Sequence, residues 1–249
     1  MVAVLLDLDD TLVDSTAAMI AAGRTAAAAL WPQAGPDLHE AAARRFRADP
    51  RGLFGAYTRG ELDFSAMRRA RVTDLAEHLG LDQIDDAHGR FEAAYAPAFA
   101  DHLRAFDDVT SLLRRAERHG WPVGVLTNSG AAYTAEKLRL AGLEDRFEVV
   151  VTTDDLGYGK PDPRVFAHAC SLLGSEPAVT AYVGDDPVVD AHGARSAGLY
   201  AVWLARGGVR YARTAVGHGW DGPRVSSLAE VGPLLAARQA DLGTGAGAR

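Results

Sequence analysis

Two carboxylates, Asp7 and Asp9, stand two residues apart just beyond an apolar run at residues 2–6 of the chain. Carboxylates this close repel each other and lose hydration beside a buried strand unless a positive group lies between them. The pair therefore indicates a place for a cation. A turn rich in aspartate that caps the next helix is the alternative interpretation of the pair taken alone.

Small hydrogen-bonding side chains follow a second apolar run, at Thr127, Asn128 and Ser129, with Gly130 next. These residues are typical of a cap for the helix that follows. A helix N-terminus also offers free N–H groups to a phosphate. The segment is therefore a candidate phosphate site as well as a cap.

Lys160 lies between Gly159 and Pro161, in a loop expected after a third strand. Of the 26 Lys and Arg residues in the chain, only Lys137 and Lys160 are lysines. Lys137 is predicted to lie on a helix with no motif around it. A lone lysine is normally a solvated surface charge, but Lys160 lies in a loop at the carboxyl end of a predicted strand and is therefore a candidate for a ligand site. The loop is not a nucleotide P-loop, because Pro161 stands where Ser or Thr is required.

A fourth apolar run ends at Asp185, with Asp190 five residues later. In an open parallel sheet, ligands bind outside the carboxyl ends of the strands. Four segments therefore bring candidates to one edge: Asp7, Asp9, Thr127, Lys160 and Asp185. A set of carboxylate ligands favours Mg²⁺ over zinc.

Short apolar runs alternate with segments of helical length that close on glycine. The predicted strands are residues 2–6, 122–126, 148–151, 179–183 and 199–204, and the helices between them include residues 109–119, 131–141 and 163–173. Continuous apolar strands alternating with helices indicate a parallel sheet covered on both faces. The predicted fold is a doubly wound α/β, Rossmann-like sheet.

One interval breaks this alternation. Residues 15–97 contain several helical patterns and no convincing strand, which is too long a block for an ordinary crossover. We expect an inserted all-helical cap subdomain there, with residues 1–14 and 98–238 forming the core. Residues 239–249 are expected to form a flexible tail.

The four motifs together resemble the haloacid dehalogenase-like hydrolase superfamily. They are Asp7-x-Asp9-x-Thr11-Leu12, Thr127-Asn128, Lys160-Pro161 and Gly184-Asp185 with Asp190, in that order. The resemblance covers nearly the whole chain. The position of the helical insert resembles the subgroup with a C1-type cap, which includes phosphoglycolate phosphatase and N-acylneuraminate-9-phosphatase.

The resemblance implies a role for each candidate residue. Asp7 is the expected nucleophile that forms an aspartyl phosphate, and Asp9 the expected general acid and base. Thr127, the backbone N–H of Asn128 and Lys160 are expected to bind the phosphoryl group. Asp7, the backbone carbonyl of Asp9, and Asp185 are expected to hold Mg²⁺. Asp190 either orders metal-bound water or caps the next helix.

The sequence departs from the patterns of some branches of the family, and these departures reduce the number of reactions expected for the chain. Asp9 argues against 2-haloacid dehalogenation, and the absence of lysine from residues 15–97 excludes the Schiff base of phosphonoacetaldehyde hydrolase. A mutase of the β-phosphoglucomutase type is an alternative, although Gly184 stands where that branch carries Glu. A non-catalytic module that binds a phosphorylated ligand is the other alternative.

Composition limits the partners. The net charge of −7 argues against nucleic acid or an anionic membrane, and a single Cys170 cannot form an internal disulfide. No signal segment or apolar run of membrane length is evident. We therefore expect a soluble cytoplasmic enzyme, of open oligomeric state, for a small phosphorylated metabolite.

A basic run in the insert is interpreted either as a solvated helix face or as a substrate clamp. Its residues are Arg44, Arg45, Arg47 and Arg51.

Overall fold

The computed structural model of the chain describes residues 2–207 and 219–245. The chain divides into two compact units, Met1–Val13 with Ala105–Arg249, and Asp14–Arg104. The boundary expected between residues 97 and 98 lies seven residues before the observed boundary between Arg104 and Ala105. The difference arises because the last helix of the second unit continues past Pro97.

The unit Asp14–Arg104 is helical, and no β-strand occurs among its residues, all of which are described. Its helices are α1 (Ser15–Leu30), α2 (Pro36–Ala48), α3 (Leu53–Thr58), α4 (Phe64–Leu79) and α5 (Ala87–His102). The short helix α3 was not expected from the sequence. Asp14, Asp63 and Asp86 cap α1, α4 and α5 with side-chain oxygens that accept a backbone N–H of the first turn.

Helix α5 continues through Pro97, where the sequence pattern indicated an end. A proline inside a helix removes one backbone hydrogen bond. Tyr95 and Ala98, on either side of it, are buried in the core of this unit, and the Tyr95 ring stacks on Phe91 with 5.6 Å between centroids. Burial of these side chains holds the helix together across the proline.

The basic run of this unit does not form one solvated face. Arg45 donates two hydrogen bonds to Asp74, at 2.7 and 2.9 Å, and its side chain is only 19% exposed. Arg47 donates to the Thr16 hydroxyl at 2.7 Å. The interpretation as a solvated face is therefore wrong for Arg45, which joins α2 to α4. Arg51 is exposed.

The first unit contains a six-stranded parallel sheet in the order β3-β2-β1-β4-β5-β6. The strands are β1 (Ala3–Leu6), β2 (Val123–Leu126), β3 (Val149–Val151), β4 (Thr180–Gly184), β5 (Tyr200–Leu204) and β6 (Arg224–Val225). The strand order reverses at β1, as in a doubly wound Rossmann-like sheet, so the predicted fold class is confirmed. Only β6 was missed.

Helices alternate with these strands along the chain. They are α6 (Val109–His119), α7 (Ala131–Leu140), α8 (Thr153–Leu156), α9 (Pro163–Leu172), α10 (Gly193–Ser196) and α11 (Leu228–Gly245). Phe166 of α9 packs edge-on against Tyr182 of β4, with ring centroids 5.1 Å apart, in the core beneath the sheet. Over residues 2–207 and 219–245, no helix is both long enough and apolar enough to cross a membrane.

Helix α11 covers residues 239–245, which were expected to belong to a tail, and residues 246–249 lie outside the described part of the chain. The helix begins with a Ser-x-x-Glu box. The Glu230 carboxylate accepts the backbone N–H groups of Ser226 and Ser227, at 3.0 and 3.1 Å. This box is visible in the sequence and could have indicated the helix.

A charged network joins the ends of several elements around Asp108. Its carboxylate accepts hydrogen bonds from the Arg206 guanidinium at 2.9 and 3.0 Å, the Ser227 hydroxyl at 2.7 Å and the Leu228 N–H at 2.9 Å. Arg206 also donates to the Thr11 carbonyl at 2.8 Å. The network thus ties the loop after β1 to the start of α6, the end of β5 and the start of α11.

We expect Asp108→Asn to lower the free energy of unfolding by about 2 kcal/mol at pH 7. Burial alone would raise the pKa of Asp108, but hydrogen bonds from Arg206, Ser227 and Leu228 hold it below 3.8. A carboxyl with a lowered folded pKa stabilises the protein above about pH 4 and loses that contribution as the pH falls through the folded pKa. Urea denaturation at several pH values measures the difference.

The adjacent surface variant Asp107→Asn is the control and should match wild type at every pH. A stability deficit of Asp108→Asn that stays constant from pH 7 to pH 3 contradicts the electrostatic account.

Candidate active site

The site begins where β1 and β4 end, at the reversal of strand order. Leu6 lies opposite Val183 in the sheet, and the Asp7 N–H donates to the Val183 carbonyl at 2.9 Å. Asp7 and Asp185 therefore follow neighbouring parallel strands at the same edge. This is the crevice in which open α/β sheets bind ligands.

The Lys160 ammonium is the centre of the site. It donates hydrogen bonds to Asp7 Oδ1, the Tyr182 hydroxyl and Asp190 Oδ1, each at 2.7 Å. The Lys160 side chain is 2% exposed. All three N–H donors of the buried ammonium are thus satisfied, two of them by carboxylates.

Tyr182 was missed by the sequence analysis. It lies in β4 with no exposed surface, and its hydroxyl also contacts the Leu126 carbonyl at 3.0 Å and Asp190 Oδ1 at 3.2 Å. A tyrosine inside a buried strand needs a partner for its hydroxyl. That requirement could have indicated a polar partner for Tyr182, but the sequence does not show which residue that partner is.

A reciprocal pair of hydrogen bonds fixes the backbone of the Lys160 loop. The Lys160 N–H donates to Asn128 Oδ1 at 2.7 Å, and Asn128 Nδ2 donates to the Lys160 carbonyl at 2.9 Å. A β-carbon at Gly159 would overlap the Asn128 carboxamide. The Lys160–Pro161 peptide is cis. The Asn128 side chain therefore holds the loop and leaves only its backbone N–H for the phosphate role expected from the sequence.

Thr127 follows β2 and is 2% exposed. Its N–H extends the sheet by donating to the Val151 carbonyl at 3.0 Å, and its hydroxyl oxygen accepts the Ser129 N–H at 3.2 Å. Thr127 thus lies in the turn that opens α7, at the carboxyl end of the strand beside β1. Its contact with a phosphoryl group stays a prediction.

Asp9 is paired with Lys137, the lysine for which the sequence suggested no role. The Lys137 ammonium lies 2.8 Å from both Asp9 carboxylate oxygens and 3.3 Å from the Ser129 hydroxyl. Lys137 lies on α7, as the sequence predicted, but its contact with Asp9 was missed. The available signal in the sequence was that lysine is rare in this arginine-rich chain. Both lysines pair with aspartates of the first motif, Lys160 with Asp7 and Lys137 with Asp9.

Three carboxylates form a cluster that could hold a cation. Asp7, Asp185 and Asp190 each offer an oxygen, and these atoms all lie within 4.8 Å of one another. The sequence predicted Asp7, Asp9 and Asp185. The structure adds Asp190 and places the Asp9 carboxylate on Lys137, so a ligand from Asp9 would be its backbone carbonyl, as the sequence analysis expected.

Burial and mutual repulsion oppose the ionisation of carboxyl groups in this cluster. Burial raises the pKa of Asp7 to about 7, with the Lys160 charge opposing the shift and the Asp190 and Asp9 charges adding to it. Burial also raises the pKa of Asp185 well above 3.8, helped by the charges of Asp10 and Asp190. A divalent cation among these groups would favour their ionised forms.

Asp190 is held by a π-helical segment over Pro187–His192. Its Oδ2 accepts the Asp186 N–H at 3.0 Å, and the Asp186 side chain caps the segment by accepting the N–H groups of Val188 and Val189. Segments of this kind are frequent at functional sites. Asp190 is thus fixed by the Lys160 ammonium and by the backbone of the segment that carries it.

A model of the family "haloacid dehalogenase-like hydrolase" matches residues 1–198, which is most of the chain. The chain belongs to the haloacid dehalogenase-like hydrolases. This assignment confirms the family expected from the four motifs and the expectation of a hydrolase.

Relatives of this hydrolase carry phosphatase names. It is 38% identical over 136 residues to a phosphoserine phosphatase of Thermus thermophilus, a match that spans 53% of this chain and about half, 55%, of that relative. It is 30% identical to a glyceraldehyde 3-phosphate phosphatase of Methanopyrus kandleri, over 82% of this chain and 84% of the relative. It is 31% identical to a phosphoglycolate phosphatase of Cupriavidus necator, over 79% and 78% respectively.

Solved structures show the same fold for this hydrolase. The magnesium-bound HAD-hydrolase YfnB of Bacillus subtilis has a TM-score of 0.75 at 20% identity, covering 94% of this chain and 98% of YfnB. An L-2-haloacid dehalogenase has a TM-score of 0.72 at 24% identity, covering 95% and 99%. Both likenesses concern the fold, and they include an enzyme named for different chemistry.

We expect Gly184→Ala to destabilise this hydrolase, because a β-carbon at residue 184 would overlap the Asp190 carboxylate. A forced shift in a packed interior costs about 1–3 kcal/mol. Gly207→Ala is the matched control, since a β-carbon there meets no atom within 4 Å. Urea denaturation of both variants checks the expectation, and equal midpoints would show that Asp190 accommodates the methyl group.

Proposed function

We propose that the chain is a Mg²⁺-dependent phosphatase that hydrolyses a small phosphorylated metabolite through an aspartyl phosphate on Asp7. The observation that carries the proposal is the Asp7 carboxylate, buried at the reversal of strand order and bonded at 2.7 Å to the Lys160 ammonium. The phosphatase names of the relatives support a phosphate ester as the substrate class.

The first chemical step is attack by an Asp7 carboxylate oxygen on phosphorus. The new O–P bond forms as the bond between phosphorus and the leaving oxygen breaks, and Asp9 gives its proton to that oxygen. In the second step Asp9 takes a proton from water as the water oxygen bonds to phosphorus. The O–P bond to Asp7 then breaks, inorganic phosphate leaves, and Asp7 is again a carboxylate.

The phosphoryl oxygens carry negative charge in both steps, and they need fixed donors. Lys160 supplies a positive charge and no spare N–H donor, because Asp7, Asp190 and Tyr182 accept its three hydrogen bonds. The Thr127 hydroxyl and the Asn128 N–H lie on the turn after the neighbouring strand β2. Donors fixed in advance stabilise developing charge without the cost of reorganising solvent.

The donor set fits Mg²⁺, because the clustered side chains Asp7, Asp185 and Asp190 offer oxygen ligands only. Asp7, Asp185 and the backbone carbonyl of Asp9 would hold the ion. When bound, it supplies positive charge between an anionic nucleophile and an anionic phosphate ester. A cytoplasmic location and a small-molecule partner stay predictions from the sequence.

We expect Asp7→Asn to lower Mg²⁺-dependent hydrolysis of 4-nitrophenyl phosphate by about a thousandfold or more, because the variant lacks the nucleophile. The surface variant Asp107→Asn should keep wild-type activity. Phosphate release from sugar phosphates, nucleoside monophosphates and small acid phosphates then identifies the substrate class. Equal rates for wild type and Asp7→Asn would exclude the aspartyl phosphate, and interconversion of sugar phosphates without phosphate release would favour a mutase.

Mg²⁺ should also stabilise the protein in the absence of substrate. A ligand at about 100 times its dissociation constant adds about 2.7 kcal/mol to the free energy of unfolding. We therefore expect millimolar MgCl₂ to raise the thermal midpoint of wild type, and Asp185→Asn to lose most of that rise. KCl at matched ionic strength is the control, and an equal rise with KCl would argue against a specific site.

A further inference from the structure

Lys137 has no part in the proposed steps, yet the geometry of its contact with Asp9 is specific. One ammonium lies 2.8 Å from both oxygens of a single carboxylate. The Lys137 side chain is 11% exposed and the Asp9 side chain 35% exposed, so the contact is not a fully solvated surface pair. Lys137 is separated from Asp9 by 128 residues in sequence.

Helix α7 aims Lys137 at this position. The helix begins at Ala131, directly after the turn that follows β2, and Lys137 lies about 9 Å further along its axis. Side chains on a helix lean toward its N-terminus, so the lysine chain runs back to the turn, where Nζ contacts the Ser129 hydroxyl. Arg139 of the same helix instead pairs with Glu136 at the exposed surface, where its side chain is 58% exposed.

Contact with both oxygens restricts the Asp9 side chain. A carboxylate bound by one oxygen can still swing about that bond, whereas two contacts to one partly buried donor restrict the direction of the carboxyl group. One oxygen can carry the proton destined for the leaving group while the other keeps its hydrogen bond to Nζ. Such a contact supplies orientation, which general acid catalysis needs.

We infer that Lys137 is a positioning residue that holds the Asp9 carboxyl group in the orientation from which it exchanges a proton with the leaving group. The inference rests on the proposed function, in which Asp9 is the general acid. Lys137 acts through Asp9, and its removal therefore matters most for substrates whose leaving group requires protonation.

Two aryl phosphates of similar shape test this role. Phenyl phosphate releases the more basic oxygen and depends more on the general acid, whereas 4-nitrophenyl phosphate releases a stable anion. We expect Lys137→Met to lower kcat/KM about tenfold or more for phenyl phosphate and at most about threefold for 4-nitrophenyl phosphate. Asp9→Asn should show the same selectivity with a larger loss.

Three further variants complete the test. Lys137→Arg should restore most of the phenyl phosphate activity, because it keeps a donor of the same charge. Adding Lys137→Met to Asp9→Asn should cost nothing more, since a positioning residue without its target has no further effect. Arg139→Met, on the same helix, should leave both kcat/KM values unchanged. Thermal midpoints of all variants monitor folding.

Equal losses of Lys137→Met on the two substrates, or additive losses in the double variant, would overturn the inference and indicate a purely structural role. In that case the wild type and Asp9→Asn still behave as the proposed function requires. Absence of Mg²⁺-dependent turnover of either substrate by wild type would instead overturn the proposed function itself.

Discussion

The site depends on the contacts that the buried ammonium of Lys160 makes with two carboxylates, Asp7 and Asp190. Asp7 and Asp190 are both buried, and two carboxylates at one edge of the sheet repel each other unless a cation lies between them. Burial alone would lower the pKa of Lys160, but the charges of Asp190 and Asp7 raise it, so the ammonium stays protonated. Asn128, Gly159 and Tyr182 hold the backbone and head group of this one residue.

The first motif divides its two aspartates between two lysines with different surroundings. Asp7 pairs with a lysine that is 2% exposed, and the pair is locked into a network of buried groups. Asp9 pairs with Lys137 and keeps 35% of its side chain exposed. A nucleophile benefits from a fixed position, whereas a group that exchanges protons with water needs access to solvent. These different surroundings agree with the proposed function, in which Asp7 is the nucleophile and Asp9 exchanges protons.

The sequence predicts the parts of this fold that depend on local pattern. Five strands lie within one residue of their predicted bounds, because buried parallel strands read as continuous apolar runs. Strand β6 has two residues, Arg224 and Val225, and no run to detect. The dependence on local pattern also explains which residues of the site could be predicted. Asp7, Lys160 and Asp185 follow strands and could be placed at one edge, whereas Lys137 reaches Asp9 from within a helix by a contact that no local pattern encodes.

The fold by itself does not select the reaction. A dehalogenase shares nearly the whole architecture, so the sheet, the helices and the order of strands are compatible with different leaving groups. Cleaving a phosphate ester releases an alkoxide, which is a poor leaving group unless it is protonated as it departs. In the proposed function, Asp9 meets this requirement. If Asp9 is the general acid, a residue that fixes its carboxyl group contributes to that selection although it lies outside every motif, and the contact of Lys137 with both Asp9 oxygens gives it that place.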